Sequence, residues 1–122
     1  MSQLPLIAII DDDEAVRVSL EGLIRSLGHA VACFDSARAY LDSEAARATA
    51  CVISDVQMPG MTGIELKEAL NASGATTPVI LMSAYADDAA RARGERAGVS
   101  CFLSKPFSGA KLVECLERAL AA

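Results

Sequence analysis

Two hydrophobic periodicities alternate five times along this chain, and that alternation narrows the fold more than any other feature. Short, nearly unbroken apolar runs at 6–10, 30–34, 51–54, 79–82 and 101–103 have the length of buried strands. Between them the apolar residues recur at helical spacing. Val16, Leu20, Leu23, Ile24 and Leu27 form one stripe, and Gly28 is placed to end that helix as its C′ residue. Asp35 or Ser36 can cap a second helix that carries Tyr40 and Leu41. Ile64, Leu66 and Leu70 lie on a third, and Leu112, Val113, Leu116 and Leu120 on the last. The stretch 86–97 is rich in alanine but has no large aliphatic residue, so it predicts a weakly anchored fourth helix.

Strands that are apolar throughout belong in a parallel sheet covered on both faces. With right-handed crossovers, the predicted fold is α/β: a flavodoxin-like, doubly wound (βα)5 unit with a five-stranded parallel sheet in the order 2-1-3-4-5. Residues 1–122 are read as one domain, the size that a chain of this length supports. In such sheets ligands bind at the carboxyl ends of the strands.

The residues predicted at those ends are polar and ionisable. Asp11, Asp12, Asp13 and Glu14 follow the first strand, and Asp55 follows the third. Ser83 ends the fourth strand, and Ser104-Lys105-Pro106 ends the fifth. Helix capping accounts for one or two of the acids after the first strand. It does not account for a further carboxylate, Asp55, brought beside them. Clustered carboxylates repel unless a cation or a proton intervenes, and a hard divalent cation with oxygen ligands answers that need. An aspartate so placed can act as a nucleophile toward phosphorus, with Lys105 as a fixed positive charge and Ser83 as a hydrogen-bond donor.

These residues stand in segments that resemble the receiver domain of bacterial two-component response regulators. The resemblance runs from about Ile7 to Leu120. It is carried by Ile9-Ile10-Asp11-Asp12-Asp13, by the run from Ser54-Asp55 through Pro59-Gly60 to Thr62-Gly63, by Met82-Ser83-Ala84, and by Lys105-Pro106-Phe107. It implies that Asp55 is the phosphoacceptor, served by a phosphohistidine on a sensor histidine kinase. It implies Mg2+ or Mn2+ held by Asp11, Asp12, Asp55 and the backbone carbonyl of Gln57, with Asp12 the direct ligand and Asp11 acting through water. Lys105 then pairs with a phosphoryl oxygen. Ser83 is the switch hydroxyl, in place of the family's commoner threonine, and Phe102 is the switch aromatic. The Lys105-Pro106 bond is implied to be cis, where trans is the default for X-Pro. Gln57 and Tyr85 flank the path of water to an acyl phosphate, and so bear on its lifetime.

Composition trims the alternatives. A net charge of −5 argues against direct contact with nucleic acid, and no apolar run is long enough to span a bilayer. Cys33, Cys51, Cys101 and Cys115 form no CxxC pair and read as small hydrophobes in a reducing cytoplasm. His29 reads as a surface turn residue. A metal-dependent phosphohydrolase is disfavoured because Gln57 stands where a second acid is wanted, and no lid-sized insertion exists to exclude water. The expected role is a switch that catalyses only its own phosphorylation and dephosphorylation, without turnover on a separate substrate. Its output is expected through a helix-turn-helix transcription module beyond residue 122, with a stand-alone phosphorelay receiver as the alternative. A phosphorylation-dependent homodimer and a partner surface on the fourth and fifth elements complete the expectation.

Overall fold

The structure is a computed structural model that describes residues 4–84 and 88–121. Five strands form one parallel sheet: β1 (Leu6–Ile10), β2 (Ala30–Phe34), β3 (Thr49–Asp55), β4 (Val79–Ser83) and β5 (Cys101–Ser104). Their order is β2-β1-β3-β4-β5, the predicted one. The helices are α1 (Glu14–Ser26), α2 (Ala37–Leu41), α3 (Gly63–Ala72), α4 (Asp88–Ala97) and α5 (Gly109–Ala121). A 3-10 turn over Glu44–Arg47 follows α2.

Successive strand residues point to opposite faces, so the sheet divides its apolar side chains between two cores. Ile7, Ile9, Ile53, Ile80 and Met82 pack with Leu20 and Ile24 of α1 and with Leu112 and Leu116 of α5. Ala8, Ile10, Val52 and Leu81 pack on the other face with Tyr40 of α2 and with Ile64, Leu66 and Leu70 of α3. This double covering is why the strands carry no polar alternation.

Gly28 takes φ +92° at the end of α1, the left-handed C′ position that its sequence suggested, and leaves Leu27 39% exposed outside the predicted stripe. Ser36, not Asp35, caps α2, accepting from Ala39 N at 3.0 Å. The third helix opens on a capping box: Thr62 accepts from Glu65 N, and Glu65 accepts from Thr62 N. Among its described residues α4 buries only Gly94. Polar ties hold α4 to α3, with Arg93 on Glu68 at 2.8 Å and Asn71 Nδ2 donating to the Ala97 carbonyl at 2.8 Å.

The four cysteines are free thiols. Three are buried and Cys33 is half-buried, and burial pushes Cys51 up to about 12, which keeps it protonated and unreactive. His29 is half-buried with an enclosed Nδ1, so it is less exposed than a surface turn residue.

Candidate functional site

Backbone hydrogen bonds that continue the sheet ladder fix the residues beyond the strand ends. Asp11 N donates to the Phe34 carbonyl at 3.1 Å, Val56 N to the Met82 carbonyl at 2.8 Å, and Lys105 N to the Ser83 carbonyl at 2.7 Å. Asp11, Asp55 and Lys105 are therefore tied to neighbouring strands. Their side chains converge on one crevice without waiting for a loop to close.

In that crevice one carboxylate oxygen from each of Asp11, Asp12 and Asp55 lies within 4.8 Å of the others. Asp11 and Asp55 are buried and Asp12 is exposed. The Lys105 ammonium lies 3.4 Å from Asp11 Oδ2 and 3.6 Å from Asp55 Oδ1. Three carboxylates against one ammonium leave a formal excess of two negative charges when all are ionised. Burial pushes the Asp55 carboxyl above its ordinary range, Lys105 pulls it back, and the charges of Asp11 and Asp12 raise it further. The donor set is hard oxygen, its charge excess matches a divalent cation, and Asp12 keeps one side open to solvent. These residues fit Mg2+ well.

The run of four acids divides its labour. Asp13 caps α1, accepting from Ala15 N at 2.8 Å and Val16 N at 3.3 Å. Asp11 Oδ1 accepts from Asp13 N at 2.9 Å, which turns the chain and leaves Asp11 Oδ2 facing Lys105. Arg17 Nη1 donates to the Asp11 carbonyl at 2.6 Å, a brace that sequence reading missed. The Asp13→Ala variant should lose about 1 kcal/mol of stability, the usual worth of a cap, and retain its Mg2+ affinity. Urea denaturation with a parallel Mg2+ titration checks this. An equal loss of metal affinity would mean that Asp13 belongs to the cluster.

The remaining predicted positions are placed as follows. Ser83 is buried at the end of β4, in register with Ser104 of β5. Gln57 follows β3 with its side chain exposed. Phe102 stands away from the carboxylates, half-buried on β5 against the α3 and α4 side of the sheet. Lys105-Pro106 is cis. Tyr85, and residues 86 and 87 at the start of the predicted fourth helix, lie outside the described residues.

The profile of the response regulator receiver domain matches residues 7–117. The chain belongs to that family. Among relatives, this receiver is 40% identical over 112 residues to the transcriptional regulatory protein FixJ of Azorhizobium caulinodans, covering 92% of this chain and 53% of FixJ. It is 36% identical over 115 residues to the response regulator protein TodT of Pseudomonas putida, covering 94% of this chain and 51% of TodT. The chain thus spans about half the length of these curated relatives. The crystal structure of the FixJ N-terminal domain superposes with a TM-score of 0.88 at 31% identity, covering 98% of this chain and 96% of that one. The beryllofluoride-activated receiver domain of DrrB gives a TM-score of 0.87 at 27% identity, covering 98% of this chain and 100% of that one. Receivers are not enzymes in the ordinary sense, and this chain shares their architecture. No helix among the described residues is long and apolar enough to cross a membrane.

Proposed function

We propose that Asp55 is the phosphoacceptor of a two-component system and that its phosphorylation switches an output. A carboxylate oxygen of Asp55 attacks the phosphorus of a phosphohistidine on a sensor histidine kinase. The new O–P bond forms as the P–N bond breaks, and the imidazole leaves with the electron pair. The single observation that carries this reading is the convergence of Asp11, Asp12, Asp55 and Lys105 on one crevice.

Each residue then has a stated task. Asp11, Asp12, Asp55 and the Gln57 carbonyl hold Mg2+ or Mn2+, which supplies charge neutralisation at the phosphoryl oxygens. Lys105 holds a further phosphoryl oxygen from a fixed position, and in the resting protein it keeps Asp55 from taking up a proton too readily. Ser83 donates to the phosphoryl group, and Phe102 follows its movement. Gln57 and Tyr85 set how long the acyl phosphate survives. An apolar groove of about 670 Å3 between α1 and the β5–α5 connection is lined by Val16, Leu20, Leu23 and Phe107 and reaches Lys105. It supports a protein donor that docks beside the phosphoryl site. The name of the FixJ relative, a transcriptional regulatory protein, supports transcription control as the output. A cytoplasmic place and homodimerisation on phosphorylation belong to the same proposal.

Intact mass after incubation with acetyl phosphate tests the chemistry. The protein should gain one phosphoryl group (~80 Da) with Mg2+ and none with excess chelator, and hydroxylamine should cleave the acyl phosphate, releasing inorganic phosphate and leaving a hydroxamate on the protein. A hydroxylamine-stable adduct, or failure to bind both phosphoryl group and beryllofluoride, would remove the proposal.

A further inference from the structure

Phe102 is held by one residue that no part of the phosphoryl site contains. The Arg91 guanidinium of α4 lies 4.8 Å from the centre of the Phe102 ring. The same group, through Nη2, donates to Ser104 Oγ at 3.3 Å. Register explains why one side chain reaches both. Leu81 pairs with Phe102 and Ser83 with Ser104, so all four side chains project toward the α4 side of the sheet. Gly94, one turn after Arg91, brings bare backbone against this surface: a Cβ there would stand 3.6 Å from ring Cδ2. The ring therefore lies against a helix that offers it no side chain at Gly94 and a cation at Arg91. A cavity of about 370 Å3, bounded by Arg91, Phe102, Ser104, Pro106 and Lys111, leaves room beside it.

We infer that Arg91 is a positioning residue, a latch that keeps the Phe102 ring under α4 and so opposes passage to the phosphorylated state. The inference rests on the proposed coupling of Phe102 to the phosphoryl site. Arg91 reaches that site only indirectly, since it holds Ser104, the register partner of Ser83 and the residue before Lys105. Because α4 buries only Gly94 among its described residues, a single exposed contact is a material part of what holds the helix to β5.

The test is a titration with Mg2+ and beryllofluoride of wild type, Arg91→Ala, Arg91→Lys and Phe102→Leu, and of Arg91→Ala combined with Phe102→Leu. Thermal melts establish that each variant is folded. Arg91→Ala should bind beryllofluoride roughly two- to five-fold more tightly, the size of an exposed cation–ring contact. Arg91→Lys, which keeps the cation and gives up the planar fork, should fall between. In the Phe102→Leu background the gain should vanish, an outcome that a merely structural role for Arg91 would not produce. Unchanged or weaker binding by Arg91→Ala, or a gain that persists without the ring, overturns the latch. If wild type itself fails to bind beryllofluoride, the phosphoacceptor reading falls and takes the latch with it, so the two failures are told apart by the first titration.

Discussion

Replacing Asp55 by asparagine is expected to abolish the phosphoryl adduct while making the metal-free protein more stable at neutral pH. The first half follows from chemistry, because an amide offers no carboxylate to attack phosphorus. The second follows from linkage. The folded-state pKa of Asp55 is raised above its unfolded value by burial, with Asp11 and Asp12 adding to the shift against Lys105. A carboxyl with a raised folded pKa disfavours the native state once it is ionised. That penalty is complete above the folded pKa and disappears as pH falls to the unfolded value, roughly 4. The stability advantage of Asp55→Asn should therefore be largest at neutral pH and shrink as the solution is acidified. Lys105 retains Asp11 as a partner in the variant, so no cation is left unpaired. Magnesium should reverse the ranking. At ten times its dissociation constant it adds about 1.4 kcal/mol to wild type. That corresponds to a rise in Tm of roughly 4–8 °C for a domain of this size. The variant, with one carboxylate fewer, should gain far less. Thermal melts across pH, with and without Mg2+, read all of this. A metal-free variant less stable than wild type at pH 7 would refute the repulsion argument, and a surviving adduct would place the phosphoryl group elsewhere.

How much of this was legible beforehand depends on whether a feature is local. Strands β1 and β4 could be read because both are buried on both faces, which demands an apolar residue at nearly every position from Ile7 to Ile10 and from Val79 to Met82. Once the strands were placed, the polar residues after them marked the crevice. Helix α2 was less legible. It is only five residues long and passes into a 3-10 turn, and the alanines and polar residues of 43–48 carry neither period. Lys67 could not be read as buried, since a lysine on a helix normally faces water. It lies inside because α3 turns that face inward, where its Nζ donates to the Thr77 carbonyl at 3.3 Å and burial lowers its pKa. Within the acidic run, composition alone could not separate a cap from a ligand. The turn at Asp11–Asp13 makes that choice. The ties of Arg93 to Glu68 and of Arg91 to Phe102 and Ser104 join residues distant in sequence, and no periodicity announces them.

Gly63→Ala should lower stability by about 2 kcal/mol and take the phosphoryl site with it, because the obstacle to the new methyl is the backbone of Asp55. Gly63 opens α3 with an ordinary helical φ, and its N–H donates to the Val56 carbonyl at 3.0 Å. No left-handed backbone calls for glycine there, so propensity alone favours alanine by up to about 1 kcal/mol. Packing decides the sign. A Cβ at this position would collide with the Asp55 carbonyl oxygen and stand 2.9 Å from Leu81 Cδ2 and 3.1 Å from Ser54 Oγ. Leu81 can rotate away, but the Asp55 carbonyl cannot move without carrying its own carboxylate out of register with Asp11 and Lys105. Overpacking of this kind costs roughly 1–3 kcal/mol, and a loss of about 2 kcal/mol means a Tm lower by about 6–12 °C. Gly22→Ala supplies the control. Gly22 lies within α1 with nothing inside 4 Å of a Cβ, so the same chemical change should stabilise by up to about 1 kcal/mol. The two melts, read beside Mg2+ titrations, separate the causes. A stable Gly63→Ala protein with normal metal affinity would mean that the Asp55 loop yields freely. A destabilised one with weakened affinity would mean that the first turn of α3 is built against the phosphoacceptor.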